Sequence, residues 1–395
     1  MSGSCTERTL SPEEALVVSA AGGYTAARLG RAARRYDTLT ELSRRPEAEL
    51  LSLDGIGRKS IPLIRRIREI DPDRERARLD RFDISLVVPG EPAWPLMMSE
   101  NIAVPPVALY VRGDPARLGD AGVAIVGTRR PSAGGRLIAR RLASDLGRIP
   151  LSVVSGLATG IDTEAHQGCL EGGGRTVAVL AHGLDRIYPR PNTALAGRIV
   201  DGGGVLVSEY HPGIRPRAAT FVPRNRIIAG LALATVVVEG TGESGARHTA
   251  AFALEYDRSV LAVPGSPLDE RSDLPNQLLS AGAGLCRGAW DVLAALESWQ
   301  LEGLQDALAD RAATLQQQAE AALRALGPEA EAIVGALRDE PLHVDAVCRL
   351  TGLGPERVLA LLLELEIEGI VEQLPGMRFL PVYRFPGRDG AADRG

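Results

Sequence analysis

Three short segments, widely separated in the 395-residue sequence, place small, hydroxylic and cationic side chains where apolar runs end. They are Val123-Ala-Ile-Val-Gly-Thr-Arg-Arg-Pro-Ser132, Val153-Val-Ser-Gly-Leu-Ala-Thr-Gly-Ile-Asp162 and Phe221-Val-Pro-Arg-Asn-Arg-Ile-Ile-Ala-Gly230. The chemistry such residues support is anion binding. Arg129 offers a planar fork to a phosphate, Thr128 and Ser132 add hydroxyl donors, and Gly127 lets backbone approach closely. Arg130 does the same or faces solvent. Ser155 and Gly156 stand at the second strand end. In the third segment Phe221 precedes Arg224, Asn225 and Arg226, an aromatic face beside guanidinium groups. That pairing suits a single-stranded nucleic acid, with a base stacked on the ring and arginine on the backbone; Phe221 equally suits a core. Arg215 and Arg217 lie upstream in a proline-rich stretch, and Ser244 and Gly245 stand at another turn whose N–H groups can meet an anion.

Other chemistries find little support. The first segment is neither Gly-x-Gly-x-x-Gly nor a Walker loop, and the sole lysine, Lys59, lies far from it, so hydrolysis of the P-loop kind is not expected. His166 and His182 have no obvious nucleophile nearby in the sequence and read as hydrogen-bonded structural histidines. Asp162 reads as the N-cap of the helix that follows it. Cys5, Cys169, Cys286 and Cys348 are dispersed without a Cys-x-x-Cys pair, so neither a metal site nor a disulfide framework is expected, and no cofactor is implied. A formal net charge of −5 does not mark a nucleic-acid binder, but it hides a gradient: Arg28 to Arg81 carries 15 basic and 10 acidic residues, Glu329 to Glu372 only 3 basic against 10 acidic. Local patches set the field a polyanion meets. The arginine excess as a whole fits a biased composition rich in Ala, Gly and Leu.

Elements must position these groups. Strands at Ile84–Val88, Val107–Val111, Val123–Val126, Ser152–Ser155, Thr176–Leu180, Val205–Ser208, Thr235–Val238 and Val260–Val263 alternate, from the third onward, with helices. The helices are placed at Ala133–Leu146, Thr163–Leu170, Thr193–Asp201, Arg224–Leu231 and Ala246–Glu255. Continuous apolar strands with helical crossovers make a doubly wound parallel sheet, whose ligands bind beyond the carboxyl ends of the strands. Trp94 to Pro106 reads as irregular. Residues 11–78 read as short helices, with Leu53-Asp-Gly-Ile-Gly57 before Arg58-Lys59 resembling a helix-hairpin-helix, or a plain glycine turn. Residues 290–326 read as a polar helical linker. From Glu329 the pattern resembles a winged helix with helices at Glu331–Arg338, Val344–Leu350 and Pro355–Glu368. Its third helix carries Glu356, Glu364, Glu366 and Glu368 against Arg357 alone, which favours protein contact or a passive cap over reading duplex DNA.

Taken together, these strings resemble the bacterial DNA-processing protein A family (DprA/Smf). The resemblance runs from Trp94 to Ala283 and includes Ala124-Ile-Val-Gly-Thr-Arg129, Ser155-Gly-Leu-Ala-Thr-Gly-Ile-Asp162, Ala178-Val-Leu-Ala-His-Gly-Leu-Asp185, Ser208-Glu-Tyr210, Arg224-Asn-Arg-Ile-Ile-Ala-Gly230, Val238-Glu239 and Val263-Pro-Gly265. It implies an α/β fold: an extended Rossmann-like doubly wound parallel sheet over residues 82–296. Flanking it are an all-α helix-hairpin-helix (SAM-like) domain at 1–81, a linker at 297–328, a winged helix at 329–385 and a disordered tail at 386–395. It further implies a non-catalytic, homodimeric protein that binds single-stranded DNA and loads the recombinase RecA in natural transformation. By that resemblance Arg129, Arg224 and Arg226 are phosphate contacts, Phe221 is the stacking platform, and Asn225, Ser244 and Gly245 line the pocket. Thr159 stands where the family often has a basic residue, and Arg217 takes the place of a loop cation. Two other readings remain: a nucleotide hydrolase of the phosphoribohydrolase group, for which Glu239-Gly-Thr-Gly-Glu-Ser-Gly245 is a poor match, and a winged-helix duplex-binding regulator. No stretch approaches a membrane span and no signal pattern opens the chain, so a cytoplasmic location is expected.

Overall fold

Apolar β-branched runs in the middle of the chain pair as parallel strands, since crossover helices cover both faces and leave no side of the strand for water. The computed structural model describes residues 8–100, 102, 104–149, 151–296, 316, 317, 319–337 and 341–382. The expected tail at 386–395, most of the linker at 297–315, and Cys5 lie outside these. The chain divides into two compact units, Met1–Leu304 and Gln305–Gly395.

The first unit is built on a nine-stranded sheet. Its strands are β1 (Ser85–Val87), β2 (Leu109–Arg112), β3 (Gly122–Val126), β4 (Ser152–Ser155), β5 (Thr176–Val179), β6 (Val205–Ser208), β7 (Ala234–Val237), β8 (Ser259–Ala262) and β9 (Gly284–Leu285). Their order is β1-β2-β6-β5-β4-β3-β7-β8-β9. From β6 to β9 the pairing is parallel, while β1 and β2 extend the sheet antiparallel. After β3 the chain steps outward through β4, β5 and β6, then returns to place β7 on the other side of β3. The reversal falls between β3 and β7, so the crevice beyond their carboxyl ends is the site this topology favours.

Six helices precede the sheet: α1 (Pro12–Gly22), α2 (Ala26–Ala33), α3 (Leu39–Arg44), α4 (Glu47–Leu51), α5 (Ile61–Arg66) and α6 (Pro72–Arg81). Ser11 and Glu14 close α1 with a capping box. These helices do not form a separate body. Their core includes Val88, Val107 and Ala108, and Leu16 and Leu79 pack with Tyr110 and Ala178 of the sheet. The sheet helices are α7 (Met97–Glu100), α8 (Ala133–Gly147), α9 (Ile161–Glu171), α10 (Thr193–Asp201), α11 (Ala218–Gly230), α12 (Ala246–Glu255), α13 (Asp273–Ser280) and α14 (Ala289–Ala294). Two findings correct the sequence reading. The Trp94–Pro106 stretch contains α7, whose Met98 is fully buried in the main core. Helix α11 starts at Ala218 rather than Arg224 and runs through Pro223. Proline there, the sixth helical residue, forgoes an i→i−4 hydrogen bond at a cost of about 3 kcal/mol, which the buried stretch from Arg224 to Gly230 outweighs, so it does not mark the boundary it suggests in sequence.

In the second unit, helices Pro328–Ala336, Val344–Thr351 and Pro355–Ile367 stand with a three-stranded sheet of Leu342–His343, Val371–Leu374 and Arg378–Pro381. Ala319 and Leu323, read as linker, are buried in its core with Ile333 and Leu361. The acidic helix Pro355–Ile367 exposes Glu356, Glu364 and Glu366 together with Leu363 and Ile367. Among the described residues, no helix is long and apolar enough to cross a membrane.

Candidate nucleic-acid interface

The β3–α8 loop is held by its neighbours rather than left open. Thr128 N–H donates to the Glu239 carbonyl at 2.7 Å, and Ile161 N–H donates to the Thr128 carbonyl at 3.2 Å. Gly160 has φ +89°, and a Cβ there would collide with the Thr128 carbonyl, so the β4–α9 loop can lie this close only with glycine at the position. Ser132 caps α8, accepting from Gly135 N–H at 2.8 Å. Its own N–H and hydroxyl both donate to the Glu239 carboxylate, at 2.9 and 2.6 Å. Glu239 therefore already occupies the anion position at the α8 N-terminus. The expectation that Ser132 offers a phosphate its hydroxyl is not met, because that proton is committed.

Ser155 and Gly156 are likewise internal. The Ser155 hydroxyl is fully buried and donates to the Ile125 carbonyl at 2.7 Å. Gly156 leaves room for the Arg224 guanidinium, whose Nη2 would lie 2.6 Å from a Cβ at that position. Asp162 does not cap α9; Gly160 holds that position. Its carboxylate instead accepts from Gly156 and Ala158 N–H, both at 3.2 Å. Burial holds the Asp162 carboxyl above its ordinary range, against the pull of Arg224 and these N–H donors.

Arg224, Asn225 and Arg226 are all buried, Arg224 to 4% exposure. Arg224 Nη1 donates to the carbonyls of Gly156, at 2.9 Å, and Val179, and its Nε donates to Asn225 at 3.2 Å. Burial lowers the guanidinium to about 10, with Asp162 opposing and Arg129 reinforcing the shift, so it remains a cation at neutral pH. Asn225 Nδ2 donates to the Gly245 carbonyl at 3.1 Å, tying α11 to the β7–α12 turn. Ser244 Oγ accepts from Ala246 N–H at 3.4 Å within that turn. Arg226 pairs with Glu209 at 2.5 Å in a site where both side chains are 9% exposed. Neither Arg224 nor Arg226 is an open phosphate contact in this geometry. The resemblance makes both phosphate contacts, but nothing in Arg-Asn-Arg reveals which way a helix faces.

What the rim does present is cationic and aromatic. Arg129 and Arg130 are exposed, and neither has a carboxylate partner among the described residues. The Arg129 guanidinium lies 5.1 Å from the Phe221 ring centroid, with that of Arg224 at 5.9 Å beneath. Phe221 is half-buried, and Tyr188, itself 46% exposed, meets it edge-on at 6.1 Å. Arg217 is exposed at the head of α11, its guanidinium 4.7 Å from the Tyr24 ring. The structure thus brings Arg129, Phe221 and Arg224 together, with Arg217 one turn away, and adds Tyr188 and Tyr24, which the sequence reading did not single out as site residues. Aromatic residues make up only 4% of the chain, so Tyr188 between Arg186 and Arg190 was an available signal, whereas Tyr24 meets Arg217 only through tertiary packing.

The histidines are structural in placement. The Thr176 hydroxyl donates to the Val153 carbonyl, so its oxygen receives His166 Nδ1–H at 2.6 Å. Burial lowers His166 to about 3, which keeps it neutral. His182 is buried with Nδ1 2.9 Å from the Gly183 carbonyl.

Comparison with known proteins gives this rim a context. A family described as "DNA recombination-mediator protein A" matches residues 85–297, and one described as "DprA winged helix domain" matches 317–377. Protein Smf of Synechocystis sp. is 33% identical over 374 residues, 89% of this chain and 94% of that protein. DNA processing protein DprA of Streptococcus pneumoniae is 43% identical over 192 residues, 49% of this chain and 67% of that one. The X-ray structure of DprA from Streptococcus pneumoniae superposes with a TM-score of 0.62 and 31% identity, covering 73% of this chain and 99% of that one. A sheet with its reversal between β3 and β7, the winged helix that follows, and a relative matched over nearly its whole length agree: the chain belongs to the DNA recombination-mediator protein A (DprA/Smf) family.

Proposed function

We propose that this chain binds single-stranded DNA of arbitrary sequence and loads the recombinase RecA onto it during natural transformation, with no bond broken at the site. The observation that carries the reading is the Arg129 guanidinium 5.1 Å above the half-exposed Phe221 ring. A ring and a cation in that relation serve a base and its phosphate, and any base has a π-face, so sequence matters little. Duplex DNA hides its base faces in the stack and could not use the ring. The roles divide accordingly. Arg129, Arg130 and Arg217 meet phosphates, Phe221 takes a base, and Gly127, Thr128, Ser244 and Gly245 form the walls. Ser132, Ser155, Gly156, Arg224, Asn225 and Arg226 hold the rim in shape from beneath. The family description, recombination mediation, supports RecA as the partner. A homodimer in the cytoplasm completes the reading.

The test is a titration of the full chain with a labelled oligothymidine and with a duplex of equal length, followed by RecA filament assembly on strands already covered by single-strand-binding protein. Preference for the single strand and faster assembly are the expected results. Tight, sequence-selective duplex binding would replace this reading with a winged-helix regulator, and release of free base from nucleoside monophosphates would replace it with a hydrolase. Sedimentation as a monomer at micromolar concentration would remove the dimer.

A further inference from the structure

Two arginine-capped rings, not one, flank the first turn of helix α11. Arg217 is its N-cap and Phe221 follows four residues later, so the two stand at the opening turns of one helix. Each is half of a similar pair. Arg129 covers Phe221 at 5.1 Å, and Arg217 covers Tyr24 at 4.7 Å. Tyr24 comes from the turn between α1 and α2, in the helical segment that precedes the sheet.

Several features set Tyr24 apart from a buried docking residue. It is 38% exposed, among the few large aromatic side chains that reach solvent. Its hydroxyl donates to the Arg215 carbonyl at 3.0 Å, which fixes the ring's orientation against the loop that carries Arg217. Tyr210 lies 6.1 Å away, tilted by 56°, and supports the ring from the inner side. A ring held in place by its hydroxyl and backed by a second ring loses little freedom when a base stacks on it. The covering arginine is exposed on a long side chain: as a base arrives, the guanidinium can turn to the phosphate beside it.

We infer that Tyr24, with Arg217, forms a second base-stacking position, so that a single strand leaving Phe221 continues across α11 onto the helical segment. The inference rests on the single-strand reading above and adds a direction and a length to the bound strand. It also gives the helical segment a function that does not depend on the glycine turn at Gly55–Gly57.

Oligothymidines of about 4 to about 16 nucleotides, titrated against the full chain, provide the test. Wild-type affinity should step up once the strand is long enough to reach the second ring. Tyr24→Leu should lose that step, binding long strands about five- to tenfold more weakly while short strands bind as before. Tyr24→Phe keeps the ring and should keep the step. Strands carrying 5-iodouracil should cross-link to Tyr24 on irradiation when long and not when short, a readout that a purely structural tyrosine does not give. If Tyr24→Leu follows the wild type at every length, or no cross-link falls on Tyr24, the second position is overturned while the first stands. If Arg129→Ala and Phe221→Ala also change nothing, the single-strand reading fails, and this inference with it.

Discussion

Removing Arg129 and removing Phe221 should damage binding in two distinguishable ways. Four guanidinium groups on the rim and its proline-rich loop, those of Arg129, Arg130, Arg215 and Arg217, are exposed, and no ion pair involves them among the described residues. Arg224 and Arg226 sit against Asp162 and Glu209 and add little net charge. Each phosphate neutralised on a single strand contributes about 0.7 to the slope of log K against log salt, so four cations give a slope of about −3 per protomer. Arg129→Ala should bring it to about −2, and the gap between variant and wild type should shrink about fivefold for each tenfold rise in salt. A small offset opposes the loss. The free protein holds an exposed cation–π contact of about 0.5–1 kcal/mol that a base must displace, and the variant has none to displace. Phe221→Ala removes stacking, about 1–3 kcal/mol, or about five- to 150-fold in affinity at every salt concentration. Fluorescence anisotropy with a labelled oligothymidine across a tenfold range of sodium chloride measures both numbers. An Arg129→Ala line parallel to the wild type, or a Phe221→Ala line that changes slope and not offset, would refute the division of labour between ring and cation.

Two further predictions concern the scaffold. Glu239→Ala takes a carboxylate from Ser132 N–H and Oγ–H and from the α8 N-terminus, and should cost about 2–4 kcal/mol in urea unfolding; sulfate should stabilise the variant more than the wild type, and a loss under about 0.5 kcal/mol would show the carboxylate to be incidental. His166, lowered to about 3 by burial, stays neutral in the native state while the unfolded chain takes up a proton near the ordinary pH of about 6.5. Its stabilising contribution is therefore full above that pH and falls by about 1.4 kcal/mol per unit as pH drops toward 3; His166→Leu should flatten the stability profile near pH 5 by that amount, and parallel profiles would contradict it.

The sheet was legible because it is a doubly buried parallel one. Strand runs such as Val123–Val126 and Val205–Ser208 are continuous apolar blocks bounded by glycine or polar turns, and helices such as Thr193–Asp201 and Ala246–Glu255 match their sequence signals at both ends. The antiparallel extension by β1 and β2 is less so, since strand direction leaves no local mark. Helix α11 was cut short by Pro223, where a strong local signal lost to a helix anchored by buried Ile227 and Ile228. At the site, residue types were informative and orientations were not. Arg129 and Phe221 come together as their types suggest. Arg224 and Arg226 are both internal, although two residues apart on the helix, because α11 is covered on every side from Arg224 to Gly230; Arg224 reaches the strand ends at Gly156 and Val179 and Arg226 reaches Glu209. Ser132 is claimed by Glu239, 107 residues away in sequence. Tyr24 could not be placed at all without knowing that α1 and α2 pack beside the 211–217 loop.

The inward arginines explain how a chain of net charge −5 can present a rim for a polyanion. The carboxyl ends of parallel strands offer carbonyl oxygens, and two of these, at Gly156 and Val179, point where a phosphate would feel them. Arg224 covers both with a buried cation, and the α8 N-terminus absorbs the carboxylate of Glu239 in the same way. With its negative groups neutralised from beneath, the floor of the crevice contributes little field of its own. The sign of the rim is then set by a few solvent-facing guanidinium groups, whose reach in salt water is only about a Debye length. Surface charge of the same unit that lies beyond that distance can be negative without cancelling them. Net charge and local affinity are decoupled because the compensation is buried and the excess is not.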